Sequence, residues 1–147
     1  MKVFLDTNIV LDLLLERDGY AETARILQMQ EDGQLTICVS FLTMVNTAYV
    51  YKKTVGQRMA VVNLKYLSAL MEVLPMDNAM LQQAIYSEGP DFEDILQGIC
   101  AAKAGCDFII TRNGKDFVPG RGLLPQEITY PPAITPLEFL AGCEKTC

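Results

Sequence analysis

The sequence predicts an α/β fold, a three-layer α/β/α sandwich around a central, mostly parallel sheet. Short apolar runs at 2–5, 35–39 and 107–110 have the length and composition of buried strands. The stretches between them carry apolar residues at helical spacing. Strands that alternate with helices select a parallel sheet covered on both faces. Two of the runs end directly at polar or acidic residues, where sheets of this class place their sites.

The elements follow in order. Lys2-Val3-Phe4-Leu5 is a buried strand that stops at Asp6. Thr7 or Asn8 is the expected cap of a helix over Ile9 to Glu16. A second helix spans Ala21 to Glu31: Ala21, Ala24 and Leu27 recur at helical spacing, Ile26 and Met29 widen that face, and Asp32-Gly33 stops it. Leu35 to Val39 is the next strand, and Ser40 caps a helix that reaches about Lys53 before Gly56. Arg58 to Met71 is helical, Val73-Leu74 is a strand stub before Pro75, and Asn78 to Ser87 is helical again. After the Gly89-Pro90 break, Asp91 to Lys103 forms a helix with Ile95, Leu96, Ile99 and Cys100 inward. Asp107 to Ile110 is a strand, and Thr111-Arg112-Asn113-Gly114 is the turn beyond it. Val118 to Pro132, rich in Gly and Pro, reads as loop. Thr135-Pro136-Leu137-Glu138 has the cap, first-turn proline and third-position glutamate of a helix start.

With 147 residues, 50% of them hydrophobic, the chain reads as one domain over 1–147. It contains no internal repeat or linker. Five cysteines without a CxxC pair read as reduced thiols, as in a cytosolic protein. Histidine is absent, which excludes Ser-His-Asp and Cys-His catalysis and imidazole zinc sites. A metal here is therefore a hard cation on oxygen ligands, Mg²⁺ or Mn²⁺. A net charge of −6 argues against a general nucleic-acid coat, which is basic. It is compatible with an enzyme that concentrates acids in one pocket. The N-terminus lacks the apolar core of a signal peptide, and no apolar run is long enough to span a membrane, so a cytoplasmic location is expected.

Three segments carry candidate chemistry. Asp6 ends the first strand, Asp91 to Asp94 opens a helix, and Thr111 to Asp116 follows a later strand. If the fold brings Asp6, Asp94 and Asp116 together, their carboxylates repel, and a divalent cation relieves that repulsion. Each piece also has a plain structural reading. Asp6 reads equally as a strand-end residue bonded to nearby backbone. Asp91 sits where a helix cap belongs. Asp94 faces Gly98 one turn on, where the missing side chain leaves room for a ligand. Asp116 reads otherwise as a solvated loop acid, Asn113 as an Asx-turn residue, and Asp12 as a solvated helix residue or a secondary pocket member. Asn46 shares a stripe with Leu42, Tyr49 and Val50. Its amide must find a partner, either a strand-end carbonyl or the acidic pocket.

The strings Phe4-Leu5-Asp6-Thr7-Asn8-Ile9-Val10-Leu11-Asp12, Asp91-Phe92-Glu93-Asp94-Ile95-Leu96-Gln97 and Thr111-Arg112-Asn113-Gly114-Lys115-Asp116-Phe117, in this order and spacing, resemble the PIN domain family from residue 2 to about 141. The resemblance implies an Mg²⁺- or Mn²⁺-dependent ribonuclease of the kind found in VapC toxins. Such an enzyme leaves 5′-phosphate and 3′-hydroxyl ends and works with an antitoxin partner and as a homodimer. Carried over by position, Asp6, Asp94 and Asp116 are the metal-binding and catalytic acids. Asn8, Asp91, Thr111 and Asn113 are accessory. The departure is at Asn46, where many PIN toxins carry Glu; a branch of the family has Asn there. An amide carries no charge, so one fewer negative charge and weaker metal binding are expected.

RNA phosphates require a basic rim, for which Arg112, Lys115, Lys52, Lys53 and Arg121 are candidates. Tyr49 and Tyr51 are candidate base-stacking residues, with core packing the plainer role for Tyr49. Two rival readings compete. One is a PIN fold that binds RNA or protein without cutting. The other is a phosphatase or phospho-acceptor with Asp after its first strand. The latter needs a second acid close by, whereas positions 7 and 8 are Thr and Asn.

Overall fold

The computed structural model describes residues 1–117 and 129–144. Five parallel strands form one sheet in the order β3-β2-β1-β4-β5. In chain order the elements are β1 (Lys2–Leu5), α1 (Thr7–Leu15), α2 (Tyr20–Glu31), β2 (Thr36–Ser40), α3 (Phe41–Val55), α4 (Gln57–Leu70), β3 (Glu72–Leu74), α5 (Asn78–Ile85), α6 (Phe92–Lys103), β4 (Phe108–Ile110), β5 (Ala133–Ile134) and α7 (Pro136–Glu144). A single 3₁₀ turn, Gly114–Asp116, lies between β4 and β5.

Alternation within the strands makes the layers. Val3 and Leu5 on β1, Ile37 and Val39 on β2 and Ile110 on β4 face one side. There they join Ile9 and Val10 of α1, Ile26 of α2, Leu67 of α4, and Phe139 and Leu140 of α7. Phe4, Cys38 and Ile109 face the other side, against Met80 and Ala84 of α5 and Ile95, Ile99 and Cys100 of α6. Phe4, Ile37, Ile99 and Ile109 are fully buried, and each such side chain contributes roughly 1.5–3 kcal/mol. The expected three-layer architecture and parallel sheet are therefore present.

Most helix starts follow the expected chemistry. The Ser40 hydroxyl accepts from the Thr43 N–H at 2.9 Å. The Asp91 carboxylate accepts from the Asp94 N–H at 3.0 Å, so its capping reading holds. Thr135 and Glu138 bond reciprocally as a capping box. The first helix differs. Thr7 and Asn8, the expected caps, lie inside α1; Asp6 occupies the cap position in extended backbone and makes no side-chain cap bond. The two-residue strand β5 was not expected from its sequence. Most of the Gly- and Pro-rich stretch, 118–128, lies outside the described residues, as does Arg121. Among the described residues no helix is long and apolar enough to cross a membrane.

The chain runs outward from β1 to β2 and β3 on one side, and β4 and β5 lie on the other. The order therefore switches direction between β1 and β4, and a crevice opens at their carboxyl ends. Beneath it lies a buried polar network. The Ser40 hydroxyl donates to Gln97 Oε1. The Gln97 amide donates to Thr43 Oγ1 at 3.0 Å, and Thr7 Oγ1 donates to the same oxygen at 3.3 Å. This ties α1, the end of β2, α3 and α6 together. Ser40, Thr43 and Gln97 are wholly inaccessible to solvent. Replacing Gln97 by Leu leaves the Ser40 and Thr43 hydroxyls without this partner, so the variant should lose about 1–3 kcal/mol of unfolding free energy in urea titrations.

Candidate active site

The crevice is a cavity of about 460 Å³ lined by Asp6, Thr7, Asn8, Leu11, Asn46, Tyr49, Val50, Asp91, Glu93, Asp94 and Asp116. Three elements deliver the acids. Asp6 follows β1, and its N–H is held by the Ile110 carbonyl of β4 at 3.0 Å. Asp91, Glu93 and Asp94 come from the start of α6, and Asp116 from the 3₁₀ turn after β4. Asp6, Asp94 and Asp116, expected to meet, do line one pocket. Asn8 and Asp91 line it with them.

Thr111, Arg112 and Asn113 each bond a different acid. Buried Thr111 donates its hydroxyl to Asp6 Oδ2 at 3.1 Å. Arg112 donates through Nε, at 2.7 Å, and Nη2 to the two oxygens of Asp12. The Asn113 amide donates to Asp116. One expectation changes here: Asp12 is not solvated but 1% exposed, and Arg112 neutralises it. Arg112, expected on the nucleic-acid rim, pairs with that buried carboxylate, since an unpaired charge at that depth is costly, while its own side chain stays 46% exposed.

Other placements also differ from expectation. The space beside Gly98 is not open to a ligand. A Cβ there would come within 2.7 Å of the Tyr130 ring, so the glycine admits an aromatic side chain from the far end of the chain. Gly114 likewise lies so close to β5 that a Cβ would stand 2.5 Å from the Ala133 carbonyl oxygen. Tyr49 is not core: it is 58% exposed at the pocket, with the ammonium groups of Lys53 and Lys52 at 4.3 and 5.2 Å from its ring centre. Tyr51, two residues on, turns inward and is buried with Leu11 and Ala60, so it offers no face to a base. Lys115 is exposed beside Asp116. The half-buried Asn46 donates to Glu93 Oε1 at 2.7 Å across the pocket. Glu93 was not among the expected site residues, although it stands next to Asp94 at the start of α6.

The electrostatics follow from burial first and crowding second. Burial, then the charges of Asp91, Asp6, Asp116 and Glu93, push the Asp94 carboxyl up to about 7. Burial also raises Asp6, and Glu93 adds to this. The Thr111 hydroxyl, the Thr7 backbone N–H and the Arg112 charge work against it. The pocket thus has an excess of negative charge and only oxygen donors, which suits a hard divalent cation. Among the described residues no three acids converge tightly enough to grip one ion as their side chains stand.

The PIN domain family matches residues 2–115. The chain belongs to the PIN domain family. Among curated proteins it is 29% identical to Ribonuclease VapC1 of Aquifex aeolicus (strain VF5) over 135 residues, covering 86% of this chain and 91% of the relative. Among solved structures it resembles a toxin-antitoxin complex from Klebsiella pneumoniae, with a TM-score of 0.61 and 20% identity over 91% of this chain and 97% of that one. It also resembles the DNA-bound VapBC of Salmonella typhimurium, with a TM-score of 0.58 and 19% identity over 92% and 98% of the two chains. A third similar structure is VapC20 of Mycobacterium tuberculosis, a Sarcin-Ricin loop cleaving toxin, with a TM-score of 0.60 and 16% identity over 77% and 91%. At these identities the structural matches establish the PIN fold.

The charge crowding has a measurable consequence in chelator-treated protein. The Asp94 carboxyl rises from 3.8 to about 7 in the fold, so between these values the folded state keeps a proton that the unfolded chain releases. Stability then falls as pH climbs from about 4 to about 7. Thermal melts should show a declining Tm across that window in the wild type and a flatter, higher profile in Asp94→Asn.

Proposed function

We propose that this PIN domain is a divalent-metal-dependent endoribonuclease that cuts single-stranded RNA. The observation that carries this reading is the meeting of Asp6, Asp94 and Asp116 in one crevice at the strand switch point. Asp6 and Asp94, with Asp116, are the residues that would hold Mg²⁺ or Mn²⁺. Such a cation supplies Lewis-acid activation of water and neutralises charge that builds on the phosphate. The chain's own groups prepare the site. Thr111 orients the Asp6 carboxylate, and Asn113 restrains Asp116. Asn8, exposed at the pocket, offers an amide to the substrate. Lys52, Lys53 and Lys115 attract phosphates, and Tyr49 offers an exposed ring on which a base can stack.

The VapBC and toxin-antitoxin relatives support a role as the toxin of such a pair, with a protein antitoxin as partner. Met59, Val62 and Tyr66 recur along one exposed stripe of α4. Exposed apolar surface of this kind supports a protein contact, with the antitoxin or in a homodimer. One observation favours a second reading, a PIN module that binds without cutting: Asn46 places a neutral amide in the pocket.

The test is incubation of a mixed single-stranded RNA pool with Mn²⁺ or Mg²⁺. The wild type should cut, and Asp6→Asn and Asp94→Asn should each lose at least ~100-fold in rate, because the metal's charge stabilisation is worth several kcal/mol. Absence of cutting by folded wild type favours the binding module. Tyr49→Ala should weaken RNA binding by ~1–3 kcal/mol, the worth of one stacked base. It should raise KM with kcat unchanged, while Tyr49→Phe retains affinity; equal loss in both variants would remove the stacking role.

A further inference from the structure

Glu93 shares the pocket with Asp6 and Asp94. It is half-buried, and its charge is felt by both of those carboxyls. Its Oε1 takes the Asn46 amide at 2.7 Å, a bond that joins α3 to α6 across the crevice. Oε2 remains for a further partner. An acid in the first turn of a helix is ordinarily explained by the helix dipole. The dipole does not explain a second helix supplying an amide that turns this acid into the pocket. A carboxylate at position 46 would stand within hydrogen-bond distance of Glu93 and repel it. A donor at 46 is what lets Glu93 occupy the crevice.

We infer that Glu93 belongs to the acid set that holds the cation, and that Asn46 is its positioning residue. The charge missing from α3 is thus supplied from α6, and the pocket is not one acid short. This inference rests on the metal-dependent reading proposed above. It assigns Asn46 a task that a neutral amide performs better than an acid: donation to a carboxylate ligand, the arrangement by which neighbouring groups orient metal-binding acids.

The experiment measures Mn²⁺ binding by calorimetry, so that it does not depend on turnover. It compares the wild type, Glu93→Gln, Asn46→Ala, the exchanged pair Asn46→Glu/Glu93→Gln, and the remote control Glu31→Gln. Circular dichroism verifies that each is folded. Glu93→Gln should weaken Mn²⁺ binding roughly 10–100-fold. Asn46→Ala should weaken it less, and Glu31→Gln should leave it unchanged. The exchanged pair keeps one carboxylate bonded to one amide with their helices reversed, so it should recover most of the affinity. Wild-type affinity in Glu93→Gln overturns the inference while leaving the metal site standing. An exchanged pair that binds no better than Glu93→Gln alone overturns the role of Asn46. If the wild type takes up no Mn²⁺, the metal-dependent reading fails first and the inference falls with it.

Discussion

Mutual repulsion among the acids at the carboxyl ends of β1 and β4 is the constraint around which this molecule is organised. Asp6, Asp91, Glu93, Asp94 and Asp116 line one crevice, and burial together with these neighbouring charges pushes the Asp94 carboxyl up to about 7. A fold can impose such crowding only if the elements that carry the acids cannot drift apart. Two devices prevent drift. Below the crevice, the buried Ser40, Thr43, Gln97 and Thr7 side chains cross-link the starts of α1 and α3 to α6. Beside it, Thr111, Arg112 and Asn113 each donate to one carboxylate. The apolar layers supply the bulk of the stability, and these polar contacts set where the charges stand.

The Asp12–Arg112 pair shows how far this organisation extends. Asp12 lies on α1 below the crevice, and its carboxylate is almost wholly desolvated. A buried ion pair contributes modestly to net stability, but losing one partner is severe. The pair therefore acts as a latch. It fixes the segment after β4 against α1, and the same segment presents Asn113 and Asp116. Arg112 also keeps a positive charge near Asp6, which opposes the rise in its pKa. Lys52 and Lys53 are gathered over the exposed ring of Tyr49 at the mouth of the crevice.

The fold accounts for the meeting of Asp6, Asp94 and Asp116 in one crevice, and the local geometry accounts for the amide at Asn46. Its amide does not seek a backbone carbonyl, as a buried amide often does. It reaches across to Glu93. A donor on α3 and an acid on α6 form one unit, and the two positions are best considered together.

Much of the fold and the principal acids were legible in the residues themselves. Short apolar strand runs, helical spacing, caps at Ser40, Asp91 and Thr135, and the alternation of elements are local properties, set by backbone hydrogen bonding and side-chain burial. They suffice for a parallel three-layer sandwich, and with the family resemblance they point to Asp6, Asp94 and Asp116. What only the tertiary structure decided depends on partners distant in sequence. Arg112 buries Asp12 from 100 positions away. Tyr130 fills the space at Gly98. The two-residue β5 exists only because β4 offers an unpaired edge. Tyr49 is exposed and Tyr51 buried, because their orientation depends on where α1 and α4 lie. Asn46 finds Glu93 only when α3 and α6 meet. Periodicity along the chain carries no information about which side chains face each other across it, so these pairings emerge only in the folded molecule.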